Sequence, residues 1–109
     1  MTKSRLDRTI AALADPHRRA VVERLRKGPR AAGDLARDLG LPAPAMSRHL
    51  RTLRDSGLVT DSHPNFDARV RVYALTPAPM KELLNWLEET ERMWSEQLVA
   101  FKARIEAAP

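Results

Sequence analysis

The sequence predicts a mostly α-helical fold with one small β-hairpin, and three stretches carry that prediction. From Gly33 to Val59, the run GDLARDLGLPAPAMSRHLRTLRDSGLV holds two helix-spaced apolar stripes separated by Gly40-Leu41-Pro42. From Val70 to Leu75 the residues alternate, with Val70, Val72 and Ala74 on one side, which is the period of a strand. From Met80 to Ile105 the apolar positions recur in steps of four and three, the spacing of one face of a long helix.

Leu6, Ile10 and Leu13 mark one face of a first helix. Asp15 is a suitable N-cap for a second, and Pro16 follows at the first helical position, where its missing N–H costs nothing. Val21, Val22 and Leu25 carry that helix to Gly28-Pro29. The third helix starts at Ala31 without a capping side chain, a lack that Asp34 offsets only in part through the helix dipole. Leu35, Ala36 and Leu39 form its stripe, Gly40 ends it, and Leu41-Pro42 makes a turn that cannot continue it. In the fourth helix Met46, Leu50 and Leu53 stand at i, i+4 and i+7 and bury one face, leaving Pro44, Ser47, Arg48, Arg51 and Thr52 on the other. After Ser56-Gly57, Leu58-Val59-Thr60 reads as the first strand, His63 to Ala68 as a polar loop, and Val70 to Leu75 as the second strand. No repeat, low-complexity tract or linker interrupts the chain. The expected organisation is one domain, with a core over residues 5–76 and a last helix over 77–107, opened by Thr76 as N-cap and Pro77 behind it.

Two short helices joined by a tight turn, with small, hydroxyl and arginine side chains on the free face, suit insertion into the major groove of double-stranded DNA. A hairpin directly after such a helix is a wing, and Arg69 and Arg71 place positive charge on it. The segments ALADPHRRAVVERL (Ala12 to Leu25), GDLARDLGL, MSRHLRTLRDSGLV and RVYAL (Arg71 to Leu75) resemble, in order and spacing, the ArsR family of bacterial winged helix-turn-helix repressors. The resemblance covers about residues 5 to 76. It implies a cytoplasmic homodimer that binds an inverted-repeat operator and associates with the nucleoid when bound. Arg18-Arg19 and the Trp-bearing last helix resemble a branch of the family without the usual metal-binding residues. Metal-sensing members place cysteine pairs in the third helix, or His and carboxylate clusters on the last. Here the third helix offers Ala31, Ala32 and Gly33, and the last helix has no histidine.

Composition agrees. A chain of 109 residues is near the commonest domain size, and its core is modest enough that burial against a second copy would help. The absence of cysteine excludes disulfides and thiolate chemistry. The first fifteen residues are too polar for a signal peptide, and no apolar run approaches a membrane span, so no membrane partner is expected. The net charge of +5 is unevenly placed: residues 1–76 hold fifteen Lys/Arg and eight Asp/Glu, whereas residues 77–109 hold four and six. The basic excess therefore belongs to the part expected to meet phosphate.

On the free face Arg48 is placed for a bidentate contact to guanine, Ser47 for a base edge or phosphate, and Ala45 for a thymine methyl. Arg51, Thr52, Arg69 and Arg71 complete the expected DNA-binding set, the arginines for phosphate or the minor groove. Solvated arginine is the alternative for each. The resembled family often has glutamine where this chain has Ala43, so the operator cannot be copied from relatives. His49 lies at the border of the buried face and reads as a structural histidine bonded to backbone, with DNA contact as the alternative.

On the last helix Met80, Leu84, Leu87, Trp94, Leu98, Phe101 and Ile105 form a heptad seam interrupted by Glu91, and Leu83, Trp86, Thr90, Met93 and Ala100 widen it. One side is expected to pack on the chain's own core. The other, with Leu6, Ile10, Leu84, Leu87, Trp94, Leu98, Phe101 and Ile105, is expected to form the dimer interface. Trp86, Met93 and Trp94 read first as ordinary core; an unidentified small-molecule effector at this surface is the other reading. No cofactor and no metal site is expected, Asp61, His63 and Asp67 being too sparse a set on a hairpin. No enzyme is expected either: Ser47 and His49, two apart on a helix, do not face one another. Two rivals remain, a winged helix that binds an acidic protein partner and an architectural protein that binds DNA without sequence preference.

Overall fold

The computed structural model describes residues 4–63 and 70–107. Its elements run α1 (Arg5–Leu13), α2 (Pro16–Leu25), β1 (Arg30–Ala31), α3 (Ala32–Leu39), α4 (Ala43–Asp55), β2 (Val59–Ser62), β3 (Val72–Leu75) and α5 (Pro77–Ala107). The strands form one antiparallel sheet in the order β1-β3-β2. Val59 pairs with Leu75 and Ser62 with Val72, while Arg30 pairs with Tyr73 and Ala31 with Val72. The hairpin is thus present with slightly shifted bounds, and β1 is an addition. Two residues are too few to show a period, so β1 exists only because β3 offers it an edge, to which the Ala32 N–H adds a bond on the Arg71 carbonyl at 3.2 Å.

The core is built as the periodicity requires. Val21, Val22 and Leu25 of α2, Leu35 of α3, Met46, Leu50 and Leu53 of α4, and Leu58, Val59 and Tyr73 from the sheet region form one buried cluster, with Ala12 of α1. Asp15 caps α2 as expected, its Oδ1 accepting from the N–H groups of His17 at 2.8 Å and Arg18 at 3.1 Å. Gly40 takes φ 64°, the left-handed conformation that glycine adopts without a Cβ penalty. The Gly40 N–H bonds to the Arg37 carbonyl at 3.2 Å and the Leu41 N–H to the Ala36 carbonyl at 2.9 Å, the paired bonds that close a helix and turn the chain. That turn sets α4 against α3 and fixes which face of α4 stays free.

The first helix turns a face other than that of Leu6, Ile10 and Leu13 to the chain's own core. Thr9 and Ala12 are its buried residues, Leu6 and Leu13 are partly covered, and Ile10 is exposed. Small side chains let α1 lie close to its neighbours, and the Thr9 hydroxyl donates to the Arg5 carbonyl at 3.0 Å, so its burial leaves no orphaned group. Ser4 and Asp7 form a reciprocal capping box at its start. At its end Arg18 donates to the carbonyls of Ala12 (2.7 Å) and Ala11 (3.2 Å), and Arg19 to those of Leu13 (2.8 Å) and Ala14 (3.1 Å). The double arginine therefore satisfies carbonyls that a helix end leaves bare.

The last helix corrects an expectation. Only Pro79 is buried and Leu83 half-buried near its start, where it packs on α1 and Arg5 reaches Glu82 at 3.2 Å. Trp86, Met93 and Trp94, read from sequence as core, are exposed, Trp94 by 64%. The helix has 31 residues, about 46 Å at 1.5 Å per residue, and the core offers it only its first turns. The radius of gyration is accordingly 19.4 Å and the longest dimension 74 Å, against about 13 Å for the radius of a compact chain of this length.

Candidate nucleic-acid interface

The free face of α4 resolves into two stripes. Ser47, Arg51 and Arg54, at i, i+4 and i+7, look towards the sheet and line a cavity of about 560 Å³ whose other walls include Ala31, Gly33 and Arg71. Arg48 and Thr52 form the neighbouring stripe. Ser47, Arg48, Arg51 and Thr52 are all exposed, and Ala45 is half-buried at the helix start. The buried residues Met46, Leu50 and Leu53 on the opposite side fix the rotation of the helix, so these positions follow from packing rather than from surface preference.

The cations are not equivalent. Arg48 and Arg51 are exposed and form no ion pair among the described residues. Asp61 on β2 lies 3.6 Å from Arg54 and 3.8 Å from Arg71. It ties the end of α4 to the sheet and offsets part of the Arg71 charge, a surface arrangement worth about 1 kcal/mol or less. Arg37 is likewise engaged by Asp34, and Arg30 by Asp38. Thr52 stands apart from the cavity: its hydroxyl donates to the Arg48 carbonyl at 3.2 Å, and it borders a smaller cleft against Ala11 and Arg18. Arg69 and Asp67 lie outside the described residues.

Arg54 was not singled out from the sequence, although its spacing from Ser47 and Arg51 signals the shared stripe. His49 departs from the backbone-bonded reading. Among the described residues its ring makes no hydrogen bond to backbone, and the ring centroid lies 5.5 Å from that of His17 at the start of α2. Asp15 adjoins them, the ligand-capable atoms of Asp15, His17 and His49 all falling within 4.8 Å of one another. The N–H of Arg18 foremost, with that of His17, holds the Asp15 carboxyl below the usual carboxylate range. Nothing in the sequence signals this meeting, because His49 lies far along the chain from Asp15 and His17 and each residue has its own local role.

What the interface can do chemically is bind a polyanion: a helix carrying two arginines without an ion pair among the described residues, a hydroxyl at its N-terminal end, and further cations at the sheet margin. No helix among the described residues is long and apolar enough to cross a membrane. A helix-turn-helix domain model matches residues 13–61, which span α2, α3 and α4. The chain is 41% identical over 101 residues to the HTH-type transcriptional regulator Rv2034 of Mycobacterium tuberculosis, covering 93% of this chain and 89% of that protein. It is 26% identical over 82 residues to the transcriptional repressor SdpR of Bacillus subtilis, covering 75% and 88%. The crystal structure of an ArsR family transcriptional regulator superposes with a TM-score of 0.76 at 34% identity, over 84% of this chain and 98% of that one. With five helices, a three-stranded sheet and a long last helix among its described residues, the chain belongs to the ArsR family of winged helix-turn-helix regulators and is a DNA-binding transcriptional regulator.

Proposed function

We propose that two copies of this chain pair through α5, together with Leu6 and Ile10 of α1, and that the dimer represses transcription by occupying an inverted-repeat operator. The observation that carries the proposal is the bare seam of α5. Leu84, Leu87, Trp94, Leu98, Phe101 and Ile105 are each about half exposed or more, on a single helical face that overhangs the core. Large apolar residues in that number need a cover, and a heptad face is covered best by another like it. The seam belongs to the acidic part of the chain and leaves the basic core free for DNA.

In this reading Arg48 and Ser47 read base edges, Ala45 packs on a thymine methyl, and Arg51, Thr52 and Arg71 hold phosphates, with Arg69 at the wing. The protein works in the cytoplasm, on the nucleoid when bound, and catalyses no reaction. Selection of the purified protein on a random duplex pool tests the proposal. Enrichment of an inverted repeat, with affinity falling steeply as salt rises, is expected. Enrichment of no sequence would leave an architectural protein, and salt-insensitive retention of acidic proteins in place of duplex would leave a protein-binding module.

A further inference from the structure

We infer that Asp15, His17 and His49 form a binding site for one divalent transition-metal ion of the zinc type, held between the start of α2 and the middle of the recognition helix. Three potential donors converge there from two elements, with all ligand atoms within 4.8 Å of one another. None of the three side chains hydrogen-bonds to another. Zinc bonds of about 2.0–2.2 Å in tetrahedral geometry put neighbouring donors about 3.4 Å apart. Closing the remaining ångström or so requires only rotation of side chains, of which the exposed His17 is the freest.

The donor set selects the class of ion. Two imidazoles and one carboxylate suit zinc, copper, nickel or cobalt, whereas magnesium and calcium require oxygen ligands throughout. The second shell is in place on one side. Oδ1 of Asp15 is held by the two backbone N–H groups of α2, which orients the carboxylate and leaves Oδ2 for the ion. The nearby Arg18 does not compete for the site, since its guanidinium is turned onto the carbonyls of Ala11 and Ala12. Three protein ligands leave one coordination position to water. Because His49 sits next to Arg48 in α4, an ion here would pin the recognition helix to α2 from behind its DNA-facing stripe.

Chelator-treated full-length protein titrated with zinc chloride by calorimetry, and with cobalt(II) by visible absorption, tests the site. One ion per chain is expected, with absorption bands of tetrahedral cobalt. Saturating zinc should raise the melting temperature, by about 5 °C for a domain of this size. His17→Ala, at an exposed position, should weaken zinc binding about tenfold or more and abolish the rise while leaving metal-free duplex affinity unchanged. His49→Gln should weaken binding likewise. Absence of saturable binding at one ion per chain, unchanged binding in both variants, or binding without a rise in melting temperature would each overturn the inference.

Discussion

Replacing Leu98 by Asp should take the dimer apart while leaving each winged helix folded. Leu98 is 53% exposed in the single chain, so roughly half of its surface remains to be covered by a partner. Full burial of a leucine is worth about 1.5–3 kcal/mol, which leaves about 1 kcal/mol per copy, or about 2 kcal/mol for the pair. Burying a carboxylate without a partner adds a penalty of about 1–3 kcal/mol for each copy. The total of about 4–8 kcal/mol corresponds to a dimer dissociation constant raised by about three orders of magnitude or more. Sedimentation at micromolar concentration should show a monomer, and circular dichroism should retain the helical signal, because residue 98 lies outside the buried cluster. Gel shifts should show operator affinity falling towards the level on random duplex. A Leu98→Asp protein that stays dimeric and binds its operator tightly would refute the assignment of the seam.

Arg48→Ala should cost about 1–3 kcal/mol on the operator and flatten the preference at one base pair of each half-site, as read by competition gel shifts; equal losses on operator and random duplex would deny it a reading role. Arg71→Ala should weaken all sequences alike and lower the salt slope by at most about one per copy, since Asp61 already offsets part of its charge, and Asp61→Ala should strengthen non-specific binding. Gly40→Ala should destabilise the domain by about 1–2 kcal/mol in urea melts, because φ is 64° there. Gly33→Ala, inside α3 with a Cβ meeting only an Arg37 side-chain atom at 3.7 Å, should stabilise it by about 0.5–1 kcal/mol. Equal effects at the two glycines would show that the turn does not depend on the left-handed conformation.

The helix-turn-helix was legible because its information is local. Apolar spacing placed Met46, Leu50 and Leu53 inside, and that alone sets Ser47, Arg48 and Arg51 outside. The capping of α2 by Asp15 and the ending of α3 at Gly40 were readable for the same reason, each depending on residues within one turn. What escaped reading depends on neighbours distant in the chain. The edge strand β1 is defined by β3, and the facing of α1 by how closely Thr9 and Ala12 can approach other helices. Asp61 could not be recognised as the link between Arg54 and Arg71 until β2 was set beside the end of α4. The α5 seam was legible as a pattern, but a heptad does not say whether its cover lies in the same chain, and Trp86, Met93 and Trp94 prove uncovered there.

Titration of the protein on three duplexes shows whether a symmetric dimer presents two copies of α4 to one face of DNA. These are the selected inverted repeat, one half-site alone, and the repeat with about five base pairs inserted at its centre, half a helical turn. Two chains should bind the intact repeat together. Affinity for the half-site and for the inserted repeat should fall towards the non-specific level, because the insertion carries one major-groove site to the far side of the duplex. Equal affinity for all three duplexes, or one chain bound per intact repeat at saturation, would show that the two chains do not read DNA as a symmetric pair.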